Sequence, residues 1–212
     1  MPAPTRRLLG RANSSNVMKV VWLLEELHVP YDREDYGGAF GKTQTPEYLA
    51  MNPNAVVPTL VEDGVVLWES NAILRYLAEA HAAGTPMWPT SLHARANIER
   101  WMDWQQTTLG APMTVVFWGL VRTPEEKRDM AAIHAAAAKL GTLYGILEKV
   151  LSQHAYVAGA SLTPADMAIG VHAHRYMSFE GIERPALPAL CAWYDRLLAR
   201  PAFKTHVAQP MT

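Results

Sequence analysis

The 212-residue chain lacks the features that define several large protein classes. It has one cysteine, Cys191, so it cannot form an internal disulfide, a Cys-x-x-Cys redox motif or a cysteine-rich metal site. Its 19 basic and 20 acidic residues leave a formal net charge of -1, which provides no cationic field for nucleic acid or for an anionic membrane surface. We therefore expect neither of these partners.

The chain also lacks a secretory signal and a long hydrophobic run. Its first residues are polar and are interrupted by Pro2 and Pro4, and no stretch has the roughly eighteen consecutive apolar residues of a membrane span. No grouping of His, Asp and Glu has a convincing metal-ligand spacing, so no metal is expected. With 50% hydrophobic residues the chain can still bury a large core, and we expect a cytoplasmic globular protein.

The first part of the chain alternates between strand and helix patterns. Residues 6–9 predict a short strand, residues 16–27 an amphipathic helix and residues 31–35 a second strand. In that helix the valines and leucines recur at helical spacing, and Lys19 falls outside the apolar stripe. Thr45 and the proline after it predict the start of a further short helix.

The stretch from residue 52 to residue 78 has the strongest local signals. Residues 59–62 and 65–68 predict a β-hairpin, because the Asp-Gly pair between them supplies the positive φ angles of a two-residue primed turn. Pro58 precedes the first of these strands, and X-Pro bonds are the ones that adopt the cis form at low cost. Ser70 is predicted to cap the helix that follows, and a helix N-terminus attracts anions.

The element order indicates two domains. The β-α-β-α-β-β-α order of residues 1–80 predicts a mixed four-stranded sheet with helices on its faces. Residues 81–90 contain a glycine and two prolines without periodicity and are predicted to be a linker, whereas residues 91–212 have only helical patterns. The helices predicted there span about 92–119 with a kink at Pro112, about 125–151 after a cap at Thr123, 164–179 with a capping box from Thr163 to Asp166, and 189–199.

Short motifs identify a family. They are Ser14-Ser15-Asn16 before the first helix, Val57-Pro58-Thr59-Leu60 at the proline turn, and Leu67 to Ile73 with Tyr76-Leu77 at the helix start. A mixed sheet carrying these motifs and followed by helices resembles the soluble glutathione transferase superfamily. The resemblance implies an α/β thioredoxin-like first domain and an all-α second domain. It also implies a homodimeric enzyme that uses glutathione as a co-substrate and conjugates it to a hydrophobic electrophile.

The resemblance assigns glutathione-binding roles to several residues. Val57, next to Pro58, would pair its backbone with the cysteinyl part of glutathione, as an extended peptide adds to a sheet edge. Glu69 and Ser70 would hold the γ-glutamyl end, through a countercharge for its amino group and the helix N–H groups for its carboxylate. Ala55 and Val56 stand where many relatives contact the glycyl carboxylate. The candidates for that contact are Arg11, Lys42 and Gln44.

The catalytic prediction falls on the loop before the first helix. By the resemblance, a hydroxyl from this loop hydrogen-bonds the glutathione sulfur, and we predict Ser14 as the donor with Asn16 as a second donor and Ser15 as the fallback. Lowering a thiol pKa of about 8.5 by about two units requires roughly 2.7 kcal/mol. A hydrogen bond to a charged group contributes about 1.5–3 kcal/mol and a helix N-terminus about 0.3–1 kcal/mol, which together suffice. Serines in such a loop can also be simple helix caps.

Three alternatives to the transferase function remain open. Ser14-x-Asn16 with Lys19 is similar to the Thr-x-Asn-x-x-Lys arrangement of a bacterial branch with glutathione-dependent disulfide reductase activity. A glutathione-dependent peroxidase is part of the same alternative. A maleylacetoacetate-type isomerase is a further alternative, although its Ser-Ser-Cys loop has a cysteine where this chain has Asn16. The chain could also be a non-catalytic binding protein with the same fold.

The second-substrate pocket is harder to locate from sequence. The aromatic residues of the second domain are interpreted first as helical core, and four of them are also candidates for the pocket wall. His172, His174, Arg175 and Tyr176 are candidates for the edge of the same cleft, although a solvated or capped helix face is the favoured interpretation. The pocket candidates are Trp104, Phe117, Trp118 and Tyr176.

Overall fold

The computed structural model describes residues 6–211 of the chain. Its sheet consists of β1 (Arg6–Leu9), β2 (Asp32–Glu34), β3 (Thr59–Glu62) and β4 (Val65–Trp68). The strand order is β2-β1-β3-β4. β1 pairs parallel with β2 and antiparallel with β3, and β3 pairs antiparallel with β4. The predicted mixed four-stranded sheet is therefore confirmed.

Helices cover the sheet and form most of the rest of the described chain. The connection between the helices Ser70–Ala82 and Leu92–Trp104 falls within residues 83–91, near the predicted linker. The outer domain limits at residues 1 and 212 lie outside the described part. The helices are α1 (Ser15–Glu26), α2 (Pro46–Met51), α3 (Ser70–Ala82), α4 (Leu92–Trp104), α5 (Gly110–Phe117), α6 (Met130–Leu151), α7 (Pro164–Ser178), α8 (Pro188–Leu198) and α9 (Pro201–His206).

The hairpin and the proline turn have the predicted backbone. Asp63 and Gly64 have φ angles of 48° and 83°, which match a primed two-residue turn. The Val57–Pro58 peptide bond is cis. The hydroxyl of Tyr48 and the amide of Asn52 both donate to the Val56 carbonyl, at 2.7 and 2.9 Å. Side chains at the end of α2 thus hold the segment that leads into β3.

Helix α1 is buried on two sides. Besides the predicted stripe toward the sheet, Trp22 is fully buried and packs edge-on against Phe203 of α9, with ring centroids 4.7 Å apart. A Cβ atom at Gly170 of α7 would lie 3.0 Å from the Trp22 ring, so the two helices meet at van der Waals distance. Lys19, which the pattern places outside the apolar stripe, is only 2% exposed. It is nevertheless buried, because the helical part covers the second face of α1.

The helical run through Pro112 is longer and less regular than predicted. It continues to Arg122, and π-helical segments at Gln105–Leu109 and Trp118–Arg122 flank α5. Pro112 has no N–H, and its ring crowds the carbonyl four residues earlier, which lies inside the first π segment. The predicted irregularity is therefore spread over a widened turn before the proline.

One predicted helix start in the second part is wrong. Residues Glu125–Lys127 form only a short 3-10 turn, and α6 begins at Met130, where the Asp129 side chain accepts a hydrogen bond from the Ala132 N–H at 2.9 Å. Asp129, rather than Thr123, is the cap, because it stands directly before the apolar helix. The short helix α9, which begins with Pro201, is absent from the prediction.

Helix α6 is long and apolar enough, by length and composition alone, to cross a membrane. Its alanines raise its hydropathy without forming an unbroken run of large apolar residues. One face of α6, including Leu140, Tyr144 and Leu147, is buried in the protein core. Core helices of folded proteins pass the same test, so this single helix is weak evidence for a membrane span.

The start of α7 is organised by a buried carboxylate. Asp166 is fully buried and accepts hydrogen bonds from the backbone N–H groups of Val157 and Thr163, both at 2.9 Å. The Thr163 hydroxyl and the Trp193 indole N–H also donate to it, both at 3.0 Å. The predicted capping box thus also ties α7 to α8 and to the preceding loop.

We predict that Asp166→Ala destabilises the protein much more than Asp129→Ala does. Removing Asp166 leaves several buried donors without a partner and should lower the free energy of unfolding by about 3 kcal/mol or more. Asp129 caps an exposed helix start, and its loss should cost about 1 kcal/mol. Urea denaturation at neutral pH measures both values. Equal losses in the two variants would contradict the structural role given to Asp166.

Candidate functional site

A cleft of about 760 Å³ lies where the loop after β1 meets the helical part of the chain. It joins five of the residues predicted from the sheet part to two of the predicted aromatic residues. The helical part contributes Phe117 and Trp118, and the sheet part contributes Arg11, Ser14, Ser15, Asn16 and Val57. The structure therefore brings together residues that are about a hundred positions apart in the sequence.

Ser14 is available to a ligand in this cleft. It occupies the N-cap position of α1 and is 8% exposed, yet its side chain makes no capping hydrogen bond. Its hydroxyl also has no other hydrogen-bond partner among residues 6–211. Ser15, the first residue of α1, lines the cleft as well. A free hydroxyl and an uncapped helix N-terminus thus lie at the same wall of the cleft.

Ser70 is not the N-terminal cap of α3, as the sequence predicted it to be. It is the first residue of α3, and the N-cap position belongs to Glu69, which has a φ angle of 70°. The Ser70 hydroxyl donates to Asn16 Oδ1 at 3.3 Å and therefore does not cap its own helix. Within residues 6–211 no side chain caps the N-terminus of α3, so its first N–H groups remain free for a ligand.

A buried lysine connects this corner to the helical part. Lys19 Nζ donates to Gln105 Oε1 at 2.8 Å and lies 3.5 Å from Ser70 Oγ. Gln105 Nε2 lies 3.3 Å from His172 Nε2. The chain of contacts runs from Asn16 at the cleft through Ser70, Lys19 and Gln105 to His172 on α7. It links the starts of α1 and α3 to two helical segments of the second part.

Burial determines the charge states in this network. It lowers the pKa of Lys19 to about 7, an effect that the negative charge of Glu69 opposes. Burial, with Lys19 and Arg175 nearby, also lowers the pKa of His172 well below its ordinary value, so its ring is neutral. Nδ1 of His172 lies 3.2 Å from the Ala168 carbonyl, which assigns the proton to Nδ1. Nε2 can then accept a hydrogen bond from Gln105.

The backbone of Val57 is unpaired. Neither its N–H nor its carbonyl forms a hydrogen bond with another described residue, although the side chain is buried and the residue lines the cleft. Buried backbone groups of folded proteins are almost always satisfied. An extended peptide ligand could satisfy both groups at this position.

The candidates for the glycyl carboxylate lie in different surroundings. Arg11 lines the cleft, and its guanidinium lies against Gly37 and Gly38. Lys42 and Gln44 are exposed and lie outside the lining, and the Lys42 ammonium is 4.9 Å from the centre of the Tyr36 ring. Of the three predicted residues, Arg11 alone reaches the cleft.

Two predicted pocket residues lie away from the cleft. Trp104 packs edge-on against Trp101, with ring centroids 5.4 Å apart. Tyr176 is buried and stacks on Tyr144 at 4.4 Å. Neither is part of the lining, because their positions in the helices direct them into the core.

Arg122 and Arg175 belong to the cleft, and the favoured interpretation of the sequence did not place them there. Both line it, and their guanidinium carbons lie 5.7 and 3.9 Å from the centre of the Phe117 ring. For Arg175 that interpretation was a solvated or capped helix face, which is wrong. Their convergence depends on how α7 packs beside the irregular end of the α5 helix, for which the sequence carries no signal.

Metal ligands are not grouped in the described part of the chain. Within residues 6–211, no three His, Cys, Asp or Glu side chains come together in an arrangement that could hold a metal ion. The charged groups at the cleft are arginines, which are anion-binding side chains.

Comparisons with known families agree with this fold. Residues 4–79 match the glutathione S-transferase N-terminal domain, and residues 111–201 match the C-terminal domain of the same family. The chain belongs to the glutathione S-transferase family.

Individual relatives are similar over nearly the whole chain. The glutathione S-transferase GstB of Escherichia coli K12 is 40% identical over 97% of this chain and 99% of that protein. A theta-class glutathione S-transferase of Xanthomonas axonopodis pv. citri, solved with glutathione bound, is 44% identical, with a TM-score of 0.93 over 99% of this chain and 100% of that chain. Glutathione transferase F7 of Populus trichocarpa is 26% identical, with a TM-score of 0.85 over 98% of this chain and 100% of that chain.

We predict that Lys19→Met removes a pH dependence of stability. Between the folded pKa of about 7 and the unfolded pKa of about 10.4, the unfolded chain binds more protons at Lys19 than the folded protein does. The free energy of unfolding of the wild type should therefore rise with pH across this range, and the variant should lack this contribution. Urea denaturation at about pH 7 and about pH 9 measures the change.

Lys149→Met, which changes an exposed lysine near the end of α6, is the matched control and should keep the wild-type rise. An unchanged rise in Lys19→Met would show that Lys19 titrates alike in the folded and unfolded states.

Proposed function

We propose that this protein is a glutathione transferase that binds glutathione in the described cleft, stabilises its thiolate and conjugates it to a small electrophile. The observation that carries the proposal is the unbonded hydroxyl of Ser14 at the N-terminus of α1, on the wall of a cleft that Val57 also lines. In the reaction, the thiol proton passes to water, and the sulfur forms a bond to the electrophilic carbon. The leaving group departs with the electron pair of the broken bond.

The binding of glutathione follows from groups that the folded chain leaves unsatisfied. The free backbone of Val57 suits the cysteinyl part of the tripeptide, and the uncapped N-terminus of α3 suits a carboxylate at its γ-glutamyl end. The Glu69 carboxylate, which also accepts a hydrogen bond from Gln106 at 3.3 Å, provides the countercharge for the α-amino group. Arg11 is the candidate for the glycyl carboxylate.

The stabilisation of the thiolate requires about 2.7 kcal/mol for a shift of about two pKa units. A hydrogen bond from Ser14 supplies about 1.5–3 kcal/mol, and the N-terminus of α1 adds about 0.3–1 kcal/mol. Asn16 receives the Ser70 hydroxyl on its oxygen, so its amide N–H₂ remains a donor for the sulfur. Ser15 is the alternative donor on the same turn.

The relatives support the same function. The proteins with 40% and 44% identity are both named glutathione S-transferases, and the second was solved with glutathione bound. The electrophile would lie against Phe117 and Trp118 on the helical side of the cleft, opposite the loop with Ser14. Trp118 is 60% exposed, which leaves one aromatic face open to a ligand.

We predict that Ser14→Ala raises the pKa of bound glutathione, because the sulfur loses its charge-assisted hydrogen bond. The ultraviolet thiolate absorbance of the complex should fall at neutral pH, and kcat/KM toward chlorodinitrobenzene should fall about tenfold or more. Ser15→Ala, the neighbouring change in the same turn, should alter both quantities less than about threefold. Unchanged absorbance in Ser14→Ala would refute the role of Ser14, and a selective loss in Ser15→Ala would transfer that role to Ser15.

Glutathione-dependent disulfide reduction is the second candidate, favoured by the buried Lys19 beside the Ser14–Asn16 loop. Here the thiolate would attack a disulfide sulfur instead of a carbon. Parallel assays with chlorodinitrobenzene and hydroxyethyl disulfide separate the two activities. A protein that binds glutathione but turns over neither compound would be a non-catalytic family member, and turnover of maleylacetoacetate alone would indicate an isomerase.

We also propose a cytoplasmic homodimer. Strand β4 lies at one edge of the sheet and leaves Val65, Val66 and Trp68 exposed, which is unusual for three large apolar side chains of one strand. Sedimentation at micromolar concentration is expected to show a species of twice the 23.5 kDa chain mass. A single species at the chain mass would contradict the dimer.

A further inference from the structure

Three arginines from separate elements converge on the cleft. Arg175 of α7 and Arg122 at the end of the second π segment lie 3.9 and 5.7 Å from the centre of the same Phe117 ring. Arg11 comes from the loop after β1 on the opposite wall. Two guanidinium groups beside one ring create a positive, partly apolar surface next to the predicted position of the sulfur.

Arg11 and Arg175 have no carboxylate partner among the residues that the structure describes. The lining of the cleft includes no Asp or Glu, and the described ion pairs involve neither Arg11 nor Arg175. Burial, then Arg122 and Arg11, lower the pKa of Arg175 to about 10, so it stays protonated at neutral pH. Like charges held together in a partly buried site disfavour one another, and a bound anion would offset that cost.

Glutathione does not account for the whole cluster. In the proposed complex, the N-terminus of α3 binds its γ-glutamyl carboxylate and Arg11 binds its glycyl carboxylate. Arg11 lies against Gly37 and Gly38 on the sheet side. Arg122 and Arg175 lie on the helical side with Phe117 and Trp118, the side of the cleft to which the proposed function assigns the electrophile. Guanidinium groups pair well with carboxylates and also stack on aromatic rings.

We propose that the second substrate is an aromatic electrophile with a carboxylate group, its ring against Phe117 and Trp118 and its carboxylate between Arg122 and Arg175. This inference rests on the proposed transferase function and specifies its substrate class. For an aryl chloride the sulfur of the glutathione thiolate bonds to the ring carbon, the carbon–chlorine bond breaks, and chloride leaves with the bonding electrons. The carboxylate takes no part in the bond changes and serves recognition.

The kinetic test compares 4-chloro-3-nitrobenzoate with 4-chloro-3-nitrobenzamide, which have nearly the same shape and differ in charge. Each kcat/KM is divided by the uncatalysed rate constant, which removes the difference in intrinsic reactivity. The wild type should prefer the benzoate by about tenfold or more, because a charge-assisted bidentate pair is lost with the amide. Arg175→Gln and Arg122→Gln should each lose most of this preference and leave kcat/KM for the benzamide within about threefold.

Two further variants test the preference for the benzoate. Arg175→Lys keeps the charge but not the bidentate geometry and should retain part of the preference. Arg100→Gln is the matched control, since Arg100 also lies over an aromatic ring, at 5.8 Å from the centre of Trp101, but outside the cleft. It should keep the full wild-type preference. Arg122 is exposed, so its variant remains informative if Arg175→Gln fails to fold.

The proposal is overturned if the wild type shows no preference for the benzoate. It is also overturned if both arginine variants lose activity equally on the two compounds, because the arginines would then serve the sulfur or glutathione itself. If the arginines serve the sulfur, Arg175→Gln should also raise the pKa of the bound thiol. Thiolate absorbance measures this pKa.

A binding measurement separates this inference from the proposed transferase function. The complex with S-methylglutathione, which cannot react, is titrated calorimetrically with 3-nitrobenzoate and 3-nitrobenzamide. Binding of the benzoate but not the benzamide, with loss of that binding in both arginine variants, would support the carboxylate subsite. This result would hold even if neither aryl chloride were turned over and the transferase function failed. Equal binding of both compounds, or binding of neither, would overturn the subsite.

Discussion

The buried ammonium group of Lys19 is the constraint that joins the two halves of this molecule. A charge taken from water must receive compensating hydrogen bonds, and here the acceptors come from different parts of the chain: Gln105 from a π-helical turn and Ser70 from the start of α3. Meeting that requirement sets the start of α3 beside the start of α1. Because Ser70 also contacts Asn16, the same contacts orient the loop with Ser14 at the cleft.

The site that results is built from unsatisfied groups rather than from a dense catalytic cluster. Two helix starts without side-chain caps, the hydroxyl of Ser14 and the backbone of Val57 all lack partners in the described part of the chain. Except for the Val57 carbonyl, which is an acceptor, each is a donor or a partial positive charge, and the arginines of the helical wall add to them. An anionic peptide with a thiol is the ligand that satisfies such a set, which is why fold, site and family membership lead to one function.

Local signals were enough for the framework of the site. The Asp-Gly turn, the cis proline, the capping box at Thr163 and the β-α-β-α-β-β-α order each depend on residues within a few positions of one another, and all appear in the structure. The errors occur where a local rule competes with packing. Ser70 fits a helix cap, yet its hydroxyl goes to Asn16 instead, and Thr123 resembles a cap although the helix begins after Asp129.

The sequence by itself determined the fold class, the glutathione motifs and the loop that holds Ser14, because these follow from turn chemistry, helical periodicity and short motifs. Only the tertiary structure decided that Lys19 is buried, that Tyr176 belongs to the core and that Arg122 and Arg175 face the cleft. These outcomes depend on which side of each helix meets another element, and the partners are separated by about thirty or more positions. A total charge of -1 gives no indication of such a local concentration of arginines.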